Sequence, residues 1–211
     1  LGDSHGACDA YIRVGSELSC AEPFRPRLLQ QIAEKAVDRK SLLEEIDRTR
    51  GFVSTLASIN GRMELFSLKH FHVAIIDEAS QILEPQIIGL LPRFDRFVMI
   101  GDHHQLSTIV LQDRTHSEIS EPLLLEAGIS DCRDSLFERL MHRCIEKGWH
   151  HAHVQLTHQG RMHQEIAAFP AHSFYPEGLS IANEWQSQPW SLSTASDRPL
   201  QQLVAHQRTA F

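Results

Sequence analysis

Lysine is scarce in this chain: of its 20 cationic residues only Lys35, Lys40, Lys69 and Lys147 are lysine, so arginine carries most of the positive charge. None of the four follows a glycine. That excludes from these residues a GxxxxGK[ST] loop, whose backbone N–H groups cradle nucleotide phosphates. Long apolar runs are lacking too. No stretch approaches the roughly 20 consecutive apolar residues that span a bilayer, and the first residues lack the basic-then-apolar order of a signal peptide. An intracellular location, with no membrane partner, is the expectation. The four cysteines, Cys8, Cys20, Cys132 and Cys144, form no CxxC pair, which argues against a zinc ribbon and a disulfide framework. Positive charge is not in excess either. A net charge of -7 excludes a uniformly basic sleeve for nucleic acid and leaves only a local arginine surface, whose forked donors suit phosphate.

What is present is the material of one large or two small domains: 211 residues, 42% of them hydrophobic. "DAYIRVG" (9–15) reads as a short strand. In "RPRLLQQIAEKAVDRKSLLEEIDRTR" apolar residues recur at helical spacing from Leu28 to Ile46. "FVSTLAS" reads as a strand. "FHVAIID" is a continuous apolar run of the kind buried on both faces of a parallel sheet. "EPQIIGLLPRF" suits a short helix opened by Pro85 and closed near Pro92. "RFVMIGD" then repeats the apolar run. "LLLEAG" and "DSLFERLMHRCIEKG" read as helices, the second capped by Asp134 or Ser135 and stopped by Gly148. "HAHVQLTHQ" alternates like a strand, and the helix beginning at "HQEIAAF" is expected to be interrupted by Pro170. From about residue 176 onward, "NEWQSQPWSLSTASDRPLQQ" reads as an irregular surface loop. The expected fold class is α/β, with a domain boundary near residues 155–160.

The stretch "VAIIDEASQ" ends a buried strand in two adjacent acids, Asp77 and Glu78. In an open α/β sheet ligands bind beyond the carboxyl ends of the strands. Two carboxylates there suit nucleotide hydrolysis, one holding a hydrated magnesium ion and one orienting the attacking water. The plain alternative is a strand that ends in a solvated loop, its acids capping the next helix.

"FVSTLAS", "VAIIDEASQ", "FVMIGDHHQL", "DSLFERL" and "LTHQGRMHQEIAAFPAHSFY" occur in the order and spacing of superfamily 1 helicases. The chain resembles that family from end to end, and most of all the branch holding the nonsense-mediated decay helicase and the Okazaki-flap helicase-nuclease. The resemblance implies an incomplete RecA-like P-loop NTPase fold in which a parallel sheet is flanked by helices. Residues 1–156 would be the C-terminal part of a first RecA-like domain, with a helical insertion near 26–49, and residues 157–211 the start of a second. It implies ATP and magnesium as cofactors and 5′ to 3′ movement along single-stranded DNA or RNA. By resemblance, Asp77 is the magnesium-associated acid, Glu78 the catalytic acid, and Gln105 the sensor of the terminal phosphate. Gln159 and Arg161 would reach the nucleotide from the second domain, Arg161 toward transition-state charge. Ser54 and Thr55 would touch the nucleic-acid backbone.

The departures from the family pattern are specific. Gly160 stands where the family carries a tyrosine that stacks on adenine. Ser107 and Thr108 stand where small or proline-containing sequence is usual. The phosphate-cradling loop is expected upstream of this chain and further arginine motifs downstream, so an internal segment that is inactive alone is the expectation. Fourteen histidines are the compositional excess. His103 and His104 fall in the sensing loop, and His150, His151 and His153 precede a strand without the adjacent cysteine pair that would complete a closed zinc site. Two other functions fit the residues: a catalytically inactive RecA-like module that binds a partner, and an unrelated metal-dependent hydrolase built on Asp77, Glu78, Asp102 and nearby histidine.

Overall fold

Apolar runs separated by helical segments pair side by side in parallel, because a helix carries the chain back to the start of the next strand. The computed structural model describes residues 11–106 and 108–188, and there this happens three times. β1 (Tyr11–Val14) pairs with β2 (Gly51–Ser54), β3 (Phe71–Ile76) with β4 (Phe94–Met99), and β5 (His158–Gln159) with β6 (Ser180–Ile181), all parallel. The α/β class is therefore as expected, realised among the described residues as three two-stranded sheets.

The crossover from β1 to β2 departs from the single helix expected over residues 26–49. It is a 3-10 turn (Glu22–Arg27) followed by α1 (Leu29–Lys35) and α2 (Arg39–Arg48). The break has a local cause. Asp38 accepts the Ser41 N–H at 2.8 Å while the Ser41 hydroxyl reciprocates, a capping box that starts a new helix and competes with continuing the old one. Those bonds from the Ser41 backbone and hydroxyl hold the Asp38 carboxyl below the ordinary range. Ile12, Leu28, Ile46 and Leu65 are buried in this part of the chain. "FVSTLAS" is strand only as far as Ser54, since Thr55 caps α3 (Leu56–Asn60) through the Ser58 N–H.

A short helix α4 (Leu65–Leu68) precedes β3. Phe66 packs edge-on against Phe71 of β3 and Phe94 of β4, with ring centroids 5.3 and 5.4 Å apart. β3 and β4 form where expected, but they are not buried on both faces. Val73 is 47% and Ile75 71% exposed, because a ribbon of two strands has no neighbour on its outer edges and is covered only in part. The β3–β4 crossover is α5 (Glu84–Ile87) and a 3-10 turn (Leu91–Arg93). Ile87, Leu91 and Leu136 form a buried cluster with Leu56, Ile76, Ile82, Met99 and Leu140 packed against it.

α6 (Pro122–Glu126) and α7 (Leu136–Glu146) follow. The Ser135 hydroxyl accepts the Glu138 N–H at 3.1 Å, and Gly148 adopts φ 66°, the left-handed stop that glycine permits. The chain divides into two compact units, Leu1–His142 and Arg143–Phe211, with the division inside α7. In the second unit "HAHVQLTHQ" is strand only at His158–Gln159. α8 (Gln164–Phe174) runs through Pro170 instead of being interrupted by it; proline removes one helical N–H, and the Tyr175 N–H still closes on Ala171. The segment after 176 holds β6 and a 3-10 turn (Glu184–Ser187) whose Gln186 is fully buried. That corrects the surface-loop reading as far as residue 188; Ser107, Cys8 and the rest of that loop lie outside the described residues. No helix among the described residues is long and apolar enough to cross a membrane.

Candidate active site

The parallel register of β3 and β4 brings two sequence-distant loops together. Ile76 pairs with Met99 at the strand ends, so the acids after Ile76 and the Gly101-Asp102 pair leave the same edge of the sheet. The loops are then tied. The Ala79 N–H donates to the Ile100 carbonyl at 2.8 Å, the Asp102 N–H to the Ser80 hydroxyl at 3.2 Å, and the Thr108 hydroxyl to the Gln81 carbonyl. This proximity requires glycine at 101. A Cβ there would lie 2.9 Å from the Ser80 backbone nitrogen, closer than real Cβ contacts come. Gly101→Ala is expected to cost about 1–3 kcal/mol of stability through overpacking against backbone, read as a fall in the urea midpoint without a change in slope.

Glu78 sits at φ 52° and ψ 37°, and among the described residues it is the one non-glycine with positive φ. For a residue with a Cβ this left-handed conformation costs about 1–2 kcal/mol. Backbone strain of this kind concentrates at functional sites. Its carboxylate accepts a hydrogen bond from the Gln81 side-chain amide at 3.2 Å, while Asp77 accepts the Glu78 N–H at 3.1 Å. Both carboxylates are exposed. Gln105 is held across from them in the second loop: its amide donates to Asp102 at 2.8 Å, and the other Asp102 oxygen accepts the His104 N–H at 3.0 Å. Asp102 is thus the organiser of its loop. Ser80 and Gln81, inside the "DEASQ" stretch, are site residues that no local sequence pattern singles out.

Beside these loops lies a polar cluster that no local sequence pattern marks. Asp131 and Asp134 sit with Arg114, Arg133 and Glu138 around a cavity that Ser80 and Thr108 also line. Burial, with Asp131 and Glu138 nearby, pushes the Asp134 carboxyl up. Burial acts on Asp131 the same way, but the Arg133 N–H, the Ser117 hydroxyl and the charges of Arg133 and Arg114 outweigh it and hold that carboxyl below the ordinary range.

His103 stacks on His104 at 4.1 Å and lies 6.2 Å from His142. Burial first, then the neighbouring His104, lowers its pKa. In the pH window below the unfolded value of about 6.5 the unfolded chain therefore binds more protons than the folded one. Stability contributed by neutral His103 is complete above that window and is lost as pH falls through the depressed folded value. The His103 imidazole is expected to titrate below an unperturbed histidine by NMR, and His104→Asn to move its midpoint upward.

Ser54 ends β2, its one hydroxyl hydrogen within reach of the carbonyls of Val14 (3.0 Å) and Thr55 (2.8 Å), and Thr55 is the helix cap described above. Both are exposed and both already serve local structure.

The second unit carries the other two residues. The Gln159 side-chain oxygen accepts the N–H groups of Arg161 (2.9 Å) and Met162 (2.7 Å), and its amide donates to the Met162 carbonyl at 2.8 Å. Gln159 is therefore the brace of the turn that presents exposed Arg161. Buried Gln186 holds the same turn, donating to the Gln159 and Met162 carbonyls at 3.0 and 2.7 Å while accepting the N–H groups of Ala182 and Asn183. His163, also buried, caps α8: Nδ1 accepts the Glu165 N–H, which leaves Nε2–H to donate to the Gln188 carbonyl at 3.0 Å. Nothing in the backbone demands glycine at 160, since a Cβ would meet only the Asn183 amide at 3.4 Å. His153 turns Nδ1 to the Trp149 carbonyl. Among the described residues neither the His150–His153 cluster nor Asp77, Glu78 and Asp102 gathers ligand atoms as a metal site would.

Comparison with known proteins defines the class first. One family model described as an AAA domain matches residues 26–113, and a second AAA-domain model matches residues 132–209. The chain belongs to the superfamily 1 helicase-like proteins built from these domains, a class with a P-loop NTPase fold. Particular relatives are the DNA replication ATP-dependent helicase/nuclease DNA2 of Xenopus laevis, 33% identical over 71% of this chain, and that of Homo sapiens, 36% identical over 74%. The ATP-dependent helicase NAM7 of Saccharomyces cerevisiae is 31% identical over 52% of this chain. The chain spans 12%, 14% and 10% of the length of these three relatives.

Proposed function

We propose that this chain is a segment of an ATP-dependent helicase that moves on single-stranded DNA or RNA, supplying the water-activating, phosphate-sensing and arginine elements of its motor. Residues 1–156 would close a first RecA-like domain and residues 157–211 open a second. The observation that carries the reading is the strained Glu78 at the tip of a parallel strand, with Asp77 beside it and the Gln105 loop tied to the same edge.

An exposed single carboxylate fits a hydrated magnesium ion, which keeps most of its waters and takes one or two carboxylates plus phosphate oxygens. Asp77 is the residue that would hold it, through water; the ion would supply neutralisation of phosphate charge. Glu78 would take the proton of the attacking water, and Gln105, whose amide both donates and accepts, would report the terminal phosphate. Arg161 would meet the negative charge of the transition state. Ser54 and Thr55 would contact the strand backbone, positioning without reading sequence. ATP is the expected nucleotide, its phosphates cradled by residues outside this chain. The names of the relatives, all ATP-dependent helicases, support this reading. The longer protein is expected to hydrolyse ATP faster when single strands are added. Hydrolysis indifferent to single strands would overturn the proposal.

A further inference from the structure

At the opposite end of the β3–β4 ribbon from the acids, a second group of chemistry-bearing side chains converges. His70 immediately precedes β3 and His72 lies within it, so the two-residue period of a strand points both to one face. Asp95 lies between the Phe71–Phe94 and Val73–Arg96 pairs of the parallel register, which sets it next to His72 on the neighbouring strand. The aromatic rings of Phe71 and Phe94 occupy the other face with Phe66. The His70 Nε2 lies 3.0 Å from the Asp95 carboxylate, the His70 and His72 rings meet edge-on at 4.8 Å, and one ligand atom from each of the three lies within 4.8 Å of the others. All three side chains are exposed.

We propose that His70, His72 and Asp95 form a zinc site that clips β3 to β4. Two imidazole nitrogens and one carboxylate are a donor set that zinc takes with water in the remaining position. Ligands at 2.0–2.2 Å in tetrahedral order stand about 3.4 Å apart. The distances here bracket that value, and exposed rings on one strand face reach it by side-chain rotation alone. His72 is five residues from Asp77, about 16 Å along a strand, so this site is separate from the acids proposed for nucleotide chemistry and does not depend on that reading. Its metal would lock the partly uncovered ribbon at the end where the chain enters it.

The test is zinc titration by calorimetry at pH 7.5 on the chain free of any histidine tag. One zinc per chain is expected, with a thermal midpoint that rises with zinc concentration. His72→Ala and Asp95→Asn should each weaken binding by at least roughly 100-fold, since loss of an outer-shell partner alone costs 10–100-fold. Without any substitution, zinc should shield His70 and His72 from diethyl pyrocarbonate, read by peptide mass spectrometry. Failure to take up zinc at micromolar concentration, unchanged affinity in either variant, or shielding confined to His150, His151 and His153 would each overturn the site.

Discussion

Glu78→Gln is expected to lower single-strand-stimulated ATP turnover of the longer protein by roughly 10²–10⁴-fold, the range general-base catalysis contributes, while ATP binding is retained. The substitution is isosteric and leaves the left-handed backbone at residue 78 in place. Its new amide oxygen still accepts the Gln81 hydrogen bond, so the loop is held as before. What it removes is the one property the role needs, a carboxylate able to take a proton from water. Binding would be untouched, because the phosphates and metal would be held by Asp77 and by residues outside the chain. Turnover equal to that of the parent would take Glu78 out of the mechanism. Loss of nucleotide binding together with turnover would instead make it a positioning residue.

The largest effect on stability is expected at the Glu84–Arg139 pair. Glu84 opens α5 and its side chain is 4% exposed, yet it faces a guanidinium that grips it with two arms, one of them 2.7 Å long, from α7. The same guanidinium donates to the Ala127 carbonyl at 3.0 Å just after α6, so one side chain joins three elements. Arg139→Met would leave a buried carboxylate without its partner. Breaking such a pair from one side costs about 3–5 kcal/mol, whereas replacing both members by apolar residues is often neutral or stabilising. Arg139→Met should therefore shift the urea midpoint strongly downward, and Glu84→Leu with Arg139→Met should recover most of that loss. Equal destabilisation by the single and double variants would show that shape, not charge pairing, governs this position.

Much of the chain is legible from local pattern. The runs at Phe71–Ile76 and Phe94–Met99 are strands because β-branched and aromatic residues favour extended backbone. Ser135 and Gly148 bound α7 because a hydroxyl cap and a left-handed glycine act within a few residues of themselves. Where local signals compete, periodicity alone does not decide the outcome. The Asp38–Ser41 box outweighed an apolar period that runs straight through it, and α8 carried Pro170 at the loss of one hydrogen bond. Among the described residues the alternation in "HAHVQLTHQ" meets no partner strand before His158, and a strand needs a neighbour to exist.

What the sequence alone determined is the set of chemical groups and their order: two acids after a strand, a glutamine loop, an arginine turn, and the α/β class that follows from alternating periods of two and 3.6. Whether those groups meet was decided only by tertiary structure. Parallel register set the Asp77–Glu78 loop beside the Gly101–Gln105 loop, and the backbone contact at Gly101 keeps them together. The left-handed turn at Glu78, the Glu84–Arg139 grip, the buried Gln186 and the His70–His72–Asp95 group all join residues by contacts that are separated in sequence or absent from any local pattern. The physical reason is that propensity and periodicity act over a few residues, whereas burial and hydrogen bonding act on whatever the folded chain brings within a few ångströms.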